Sequence, residues 1–162
     1  MPVRIEEIFQ GRKQFIDLLL LGDEQEDMID RYLDRGRMFV AFGPDSRAIA
    51  QCVAVPLEGR PAPGAPCAVE GAWELKNIAV SPSHQKKGLG RLLIGHLFDA
   101  MPECAALYAG TGDSPLTVPF YLACGFAESH RLPGFFADNY DHPIFEAGVQ
   151  LVDMVYFLRR RL

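Results

Sequence analysis

Long apolar runs are missing from this 162-residue chain: the leucines at 18–21, one candidate, stop at Gly22-Asp23-Glu24, far short of the ~18 residues a membrane helix needs. No membrane partner is expected. Cysteine is scarce, and Cys52, Cys67, Cys104 and Cys124 lie far apart without a C-x-x-C pair, which excludes a zinc knuckle or a dithiol redox motif. The start, Met1-Pro2-Val3-Arg4-Ile5-Glu6-Glu7, carries two acids where a secretory signal would be positive and then apolar. Reduced thiols in a cytoplasmic protein are the expectation. Positive charge is not in excess either: a net charge of −5 argues against a broad phosphate-binding surface, so nucleic acid is not an expected partner. His84, His96, His130 and His142 show no H-x-x-x-H spacing, and no metal is expected.

What is present is an ordinary globular composition, 49% hydrophobic and 23% charged, at a length that allows one core, so a single domain over residues 1–162 is expected. Residues 3–8 alternate as an opening strand. Residues 12–21 carry a helix-length apolar face ended by Gly22, after which Asp23 can cap a second helix over residues 24–35 with Met28, Ile29 and Leu33 inward. Residues 38–42, 48–56 and 68–80 read as strands of an antiparallel run, and the proline- and glycine-rich stretch 57–66 reads as a mobile surface loop. Leu89, Leu92, Leu93, Leu97, Ala100 and Met101 repeat with the helical period before Pro102, the mark of a core-facing helix. Residues 104–109 then give a buried strand, and Ser114-Pro115 an N-cap and first helical residue, with Gly125 ending that helix. Strand character returns at Phe126, a loop with Pro133 and Gly134 follows, a last strand spans 149–158, and Arg159-Arg160-Arg161 reads as a solvated tail. This order, without an internal repeat, predicts an α/β fold of the α+β, mixed-sheet kind: a mostly antiparallel central sheet with helices on both faces.

The chemistry concentrates between Val80 and Met101, where a strand, a short loop, Gln85-Lys86-Lys87-Gly88-Leu89-Gly90-Arg91 and a helix follow one another. The first amides of a helix lack intrahelical acceptors, the helix dipole is positive there, and glycines let a ligand approach the backbone. Lys86, Lys87 and Arg91 add three cations in an otherwise acidic chain, so a pyrophosphate suits this turn. The nucleotide motifs fail: a Rossmann turn needs a third glycine where Leu93 stands, and a Walker loop needs Gly-Lys-Ser/Thr.

Glu74-Leu75-Lys76-Asn77-Ile78-Ala79-Val80, the Gln85-x-x-Gly88-x-Gly90 turn leading a leucine-rich helix, and Phe120-Tyr121-x-x-x-Gly125-Phe126 together resemble the GNAT superfamily of N-acetyltransferases over roughly residues 72–126. The resemblance implies the acyl-CoA N-acyltransferase fold of that family and acetyl-CoA as co-substrate. It implies that the backbone of Ile78, Ala79 and Val80 pairs with the pantetheine arm, with the Ile78 amide facing the thioester carbonyl, a one-donor oxyanion site. The cofactor would lie in a V-shaped gap between that strand and the one near Leu107. Backbone amides of Lys87, Gly88, Leu89, Gly90 and Arg91 would hold the pyrophosphate, with Gln85 at the rim and Lys86, Lys87 and Arg91 adding charge.

Tyr121 resembles the family's general acid, a phenol that protonates the departing thiolate, and it would also touch the cofactor. Glu74 stands where some members place a glutamate that accepts the ammonium proton, directly or through water; strand parity puts it on the face of Lys76, Ile78 and Val80, opposite Leu75 and Asn77. Asp113 and Ser114 occupy the region where the family often has a cofactor-contacting Asn, a pattern from which this chain departs. The resemblance implies an enzyme that acetylates a primary amine by direct attack in a ternary complex. A catalytically silent acetyl-CoA sensor or scaffold, or an enzyme using another acyl-CoA, stays open beside it. The acceptor side of the family's sheet would here hold Asp23, Glu24, Glu26, Asp27 and Asp30, then Asp138, Asp141 and Glu146 with Phe135, Phe136 and Tyr140 interleaved, which suits a small cationic amine or a peptide amine. Homodimers are frequent in the family, so a homodimer is compatible with the resemblance.

Overall fold

Period-two burial and helical apolar stripes build the described part of the computed structural model, residues 2–161, into two units: residues up to Pro56 with Leu75–Glu103, and Leu57–Glu74 with residues from Cys104 onward. The first unit contains β1 (Arg4–Ile8), α1 (Ile16–Gly22), α2 (Glu26–Asp30), β2 (Arg37–Phe42), β3 (Ala48–Pro56), most of β4 (Ala72–Val80) and α3 (Leu89–Ala100). Its strands lie in the order β1-β2-β3-β4. β1 runs antiparallel to β2, with Arg4 opposite Phe42, and β2 antiparallel to β3, with Val40 opposite Gln51. Alternate residues of a strand face opposite sides, and each side buries different helices. Met38, Val40, Val53 and Val55 cluster with Leu19 of α1, Ile29 of α2, Tyr32 and Leu33. Phe39 turns the other way and meets His96 of α3 edge-on at 5.4 Å.

The second unit adds β5 (Ala106–Gly112), α4 (Val118–Ala123), β6 (Ala127–Leu132), α5 (Phe135–Asn139), a short hairpin of β7 (Phe145–Glu146) and β8 (Val149–Gln150), and β9 (Met154–Arg160). β9 lies between β5 and β6, antiparallel to both, with Tyr156 opposite Gly110 on one side and His130 on the other. The architecture is a mixed α/β fold with mostly antiparallel strands, as the element order predicts.

Several boundaries differ from the sequence reading, each for a physical reason. The second helix keeps only Glu26–Asp30 because Tyr32 turns inward and its backbone tightens, its N–H bonding Ile29 O. Gln25 stands at its N-cap, while Asp23 closes α1 instead. The strand expected over 68–80, β4, begins at Ala72 rather than at 68. Leu92 points outward from α3, whose buried stripe takes Ile94 and Phe98 in place of Leu92 and Ala100. The helix expected at Ser114-Pro115 begins at Val118, because a start at Pro115 would put Pro119 in the second turn, where its missing N–H and its ring are not tolerated. The last strand breaks at Leu151–Asp153, where the Asp153 carboxylate accepts the N–H of Gly134 at 3.0 Å. The expected arginine tail is structured through Arg161: Arg159 donates to the carbonyl of Cys124 and Arg161 to that of Cys104.

Candidate active site

β4 delivers its chain end to the turn that opens α3. Asn77 is buried, whereas Ile78, Ala79 and Val80 are all partly exposed, so the last three residues of the strand emerge from the core. Ser81 N–H is tied to Ile49 O at 2.8 Å, and the Gln85 amide donates to Val80 O at 3.1 Å. Gln85 therefore braces the strand end. Lys86 (φ +63°) and Gly88 (φ +82°) both adopt the left-handed conformation, which a lysine takes only at a cost of ~1–2 kcal/mol. Left-handed residues interleaved with ordinary ones turn successive N–H groups into a concave anion nest. The first helical bond runs from Leu92 N–H to Gly88 O at 3.0 Å, so the amides of Leu89, Gly90 and Arg91 precede the ladder. A Cβ on Gly88 would meet nothing within 4 Å, so the backbone faces open space. Lys86, Lys87 and Arg91 are exposed, and among the described residues no carboxylate engages them. Gly88 and Arg91 also border a groove of about 440 Å³ along α3, shared with Ile5, Leu92, Gly95, His96 and Asp99.

Asn77, opposite in parity to Glu74, donates to Leu19 O at 2.9 Å and to the Tyr32 hydroxyl at 3.0 Å, and accepts from Gln51 at 2.8 Å. Tyr32 in turn donates to Asp23 at 3.3 Å. Glu74 belongs to the second unit and is buried, neither a solvated edge residue nor an exposed ion pair. The hydroxyl of Tyr156 donates to its Oε2 at 3.3 Å. Burial first, then the charge and hydrogen bond of Glu74, push the Tyr156 phenol well above the ordinary tyrosine range. Tyr156 was not found in the sequence, because 82 residues separate it from Glu74 and no local pattern links them.

Tyr121 is buried in α4 with its ring stacked on Phe157 at 5.6 Å and edge-on to Phe120 and Phe126 at 5.2 and 5.4 Å. Asp113 pairs with Arg131 at 2.8 Å. Ser114 is buried and accepts the Leu116 N–H at 3.1 Å, which makes it the hinge of a turn before the helix rather than the helix cap. The residues from Ile78 to Arg91 thus lie in the first unit, and Glu74, Asp113, Ser114 and Tyr121 in the second. Burial pushes the Cys52 thiol up to about 12, Cys104 and Cys124 are buried as well, and Cys67 is exposed. The described residues contain no group of three or more His, Cys, Asp or Glu placed to hold a metal, and no helix long and apolar enough to cross a membrane.

A mixed α/β fold that presents an anion nest between a strand end and a long helix defines a class of phosphate-handling α/β proteins, and the motif order narrows it. Residues 4–126 match the Acetyltransferase (GNAT) family. The chain is 37% identical over 159 residues to YvbK of Bacillus subtilis (strain 168), described as an uncharacterized N-acetyltransferase, covering 94% of this chain and 93% of that one. A GNAT family acetyltransferase from Elizabethkingia anophelis, solved with acetyl-CoA bound, superposes with a TM-score of 0.83 at 30% identity, covering 98% of each chain. A Bacillus subtilis acetyltransferase solved in complex with CoA gives a TM-score of 0.83 at 32% identity, covering 99% of this chain and 100% of that one. The chain belongs to the GNAT acetyltransferase family.

Proposed function

We propose that the protein transfers the acetyl group of acetyl-CoA to a small cationic primary amine by direct attack in a ternary complex. The observation that carries the cofactor half is the turn at 85–91, where a left-handed nest, three leading amides of a twelve-residue helix and three cations that no carboxylate among the described residues engages converge on open space. The pyrophosphate of acetyl-CoA matches that charge and shape, and relatives at 30% and 32% identity are described with acetyl-CoA and CoA bound. In the reaction, the ammonium gives a proton to Glu74, directly or through water, and the freed lone pair attacks the thioester carbonyl, whose developing negative charge the Ile78 amide meets. The N–C bond forms, the C–S bond breaks, and the thiolate takes the proton of Tyr121; the second proton, shed by the nitrogen as it becomes the amide, restores the Tyr121 phenol, and Glu74 passes its own to solvent. No cysteine is needed, which agrees with a Cys52 thiol that stays protonated.

The acceptor is read from charge. In the first unit Asp23, Glu24, Glu26, Asp27 and Asp30 form an acidic stretch, in which Lys13 pairs with Glu26 and Asp30. In the second unit, Asp138 lies on α5 beside Phe135 and the stacked pair Phe136–Tyr140, 5.5 Å between ring centroids. Carboxylates draw an ammonium in, and aromatic faces hold it by contacts worth ~0.5–2 kcal/mol. CoA release measured across a panel of polyamines, aminoglycosides, lysine-like amines and peptides tests both halves. A cationic amine is expected to be the fastest, with kcat/KM falling as salt rises, because exposed charges are screened over ~8–10 Å. Binding of acetyl-CoA without turnover of any amine, or faster turnover of a neutral or acidic acceptor, would overturn it.

A further inference from the structure

We propose that Tyr156 is a positioning residue for the transfer: it holds the Glu74 carboxylate oriented and ionised so that Glu74 can accept the acceptor's proton. The inference rests on the reading of Glu74 as the base. Three features over-determine where the phenol points. Its ring lies across Gly110, where a Cβ would stand 2.9 Å from the phenol carbon Cζ, so only a glycine leaves room. The His130 ring stacks on it at 4.8 Å and 10°. Ala72, Tyr108, Leu132, Met154 and Leu158 complete an apolar surround. A phenylalanine would fill that space equally well. The hydroxyl at the end of the ring reaches Oε2 of a buried Glu74 at 3.3 Å.

A hydrogen bond donated to a carboxylate favours its charged form, whereas burial favours the neutral one. Tyr156 therefore offsets the burial of Glu74. It does so at every working pH, since burial and the adjacent carboxylate keep the phenol protonated. Other ionisable groups lie beside the pair. His130 on β6 is held toward its neutral form by burial. Tyr108 on β5 is oriented by Val69, whose N–H bonds its hydroxyl at 3.2 Å. Lys76 stands two residues along β4, and Arg131, next to His130, is tied to Asp113 and Glu128. Replacing Tyr156 by Phe changes only the hydroxyl contact.

The test compares wild type, Tyr156→Phe and Glu74→Gln by the pH profile of kcat/KM for the best amine found and by 13C-carboxyl NMR, in which Glu74→Gln identifies the Glu74 signal. In Tyr156→Phe the acidic limb and the Glu74 titration should both move up by about one pH unit, the scale of a lost hydrogen bond to a charged group. Acetyl-CoA affinity should stay the same. In the wild type the Tyr156 ring carbon Cζ should shift with the Glu74 titration, a readout that needs no variant to fold. A limb that Glu74→Gln flattens but Tyr156→Phe leaves in place would overturn the positioning role alone, as would a Tyr156 ring carbon blind to that titration. If Glu74→Gln leaves profile and rate unaltered, the base reading falls, and the role of Tyr156 with it.

Discussion

Gly22 and Asn77 are in direct contact: a Cβ on residue 22 would stand 2.0 Å from Asn77 Oδ1 and 3.2 Å from the carbonyl oxygen of Ile78. The end of α1 is thereby seated on β4 just where the strand emerges toward the nest. Gly22→Ala must push the helix end or the amide aside and is expected to destabilise by ~1–3 kcal/mol. Asn77→Leu removes bonds to Leu19, Tyr32 and Gln51 together, with an expected loss of ~2–4 kcal/mol. Urea midpoints read both, and an unchanged midpoint in either variant contradicts the contact.

At the nest, Gly88→Ala meets two obstacles. The left-handed φ of +82° costs a non-glycine residue ~1–2 kcal/mol, and the methyl enters the open space that the pyrophosphate is proposed to fill. Calorimetric titration should show acetyl-CoA binding weakened at least about tenfold. Lys87→Ala and Arg91→Ala should weaken it less, while lowering its salt dependence. Wild-type affinity in Gly88→Ala would remove the cofactor from this turn.

The nest and the resemblance were legible in the sequence because they are local: a strand, a G-x-G turn and a helix within some twenty residues. What escaped was set by distant partners or by a competing residue nearby. Pro119 overruled the Ser114-Pro115 start, and the inward turn of Tyr32 toward Asn77 shortened the second helix. Leu92 fits the helical period as well as Ile94 does, and only the neighbouring strands decide which is covered. The β7–β8 hairpin and α5 fell within a stretch read as loop and strand, since their segments are too short to show a period.

Tyr121→Phe should lower kcat by roughly 10²–10⁴ through loss of the proton donor, with acetyl-CoA affinity nearly intact. The ring keeps its stack on Phe157, so the melting temperature should barely change. Wild-type turnover in the folded variant would give the acid role to water.

His130 supplies a pH dependence of stability. Burial lowers its pKa in the folded protein, so the unfolded chain binds the proton more readily. Its contribution is present above the unfolded value near ~6.5 and is lost as pH falls from there through the folded pKa. His130→Phe keeps a ring over Tyr156 without the titration, and urea unfolding between about pH 7 and 5 should show a shallower loss of stability than in the wild type. Equal slopes would exclude His130 as the source.

β9 carries Tyr156 and Phe157 side by side, one turned to Glu74 and the other to Tyr121. The proposed proton acceptor and proton donor are thus buttressed from opposite faces of a single strand, and the assignment depends on whether a residue's count along that strand is odd or even. Inserting one residue inside the strand, between Val155 and Tyr156, would exchange the two faces and uncouple both groups at once, whereas two residues would restore the parity. In the β7–β8 turn at Ala147-Gly148 a change of length disturbs only the pairs Phe145–Gln150 and Glu146–Val149. Lineages of this enzyme should therefore gain and lose residues at that turn while β9 changes length only in pairs.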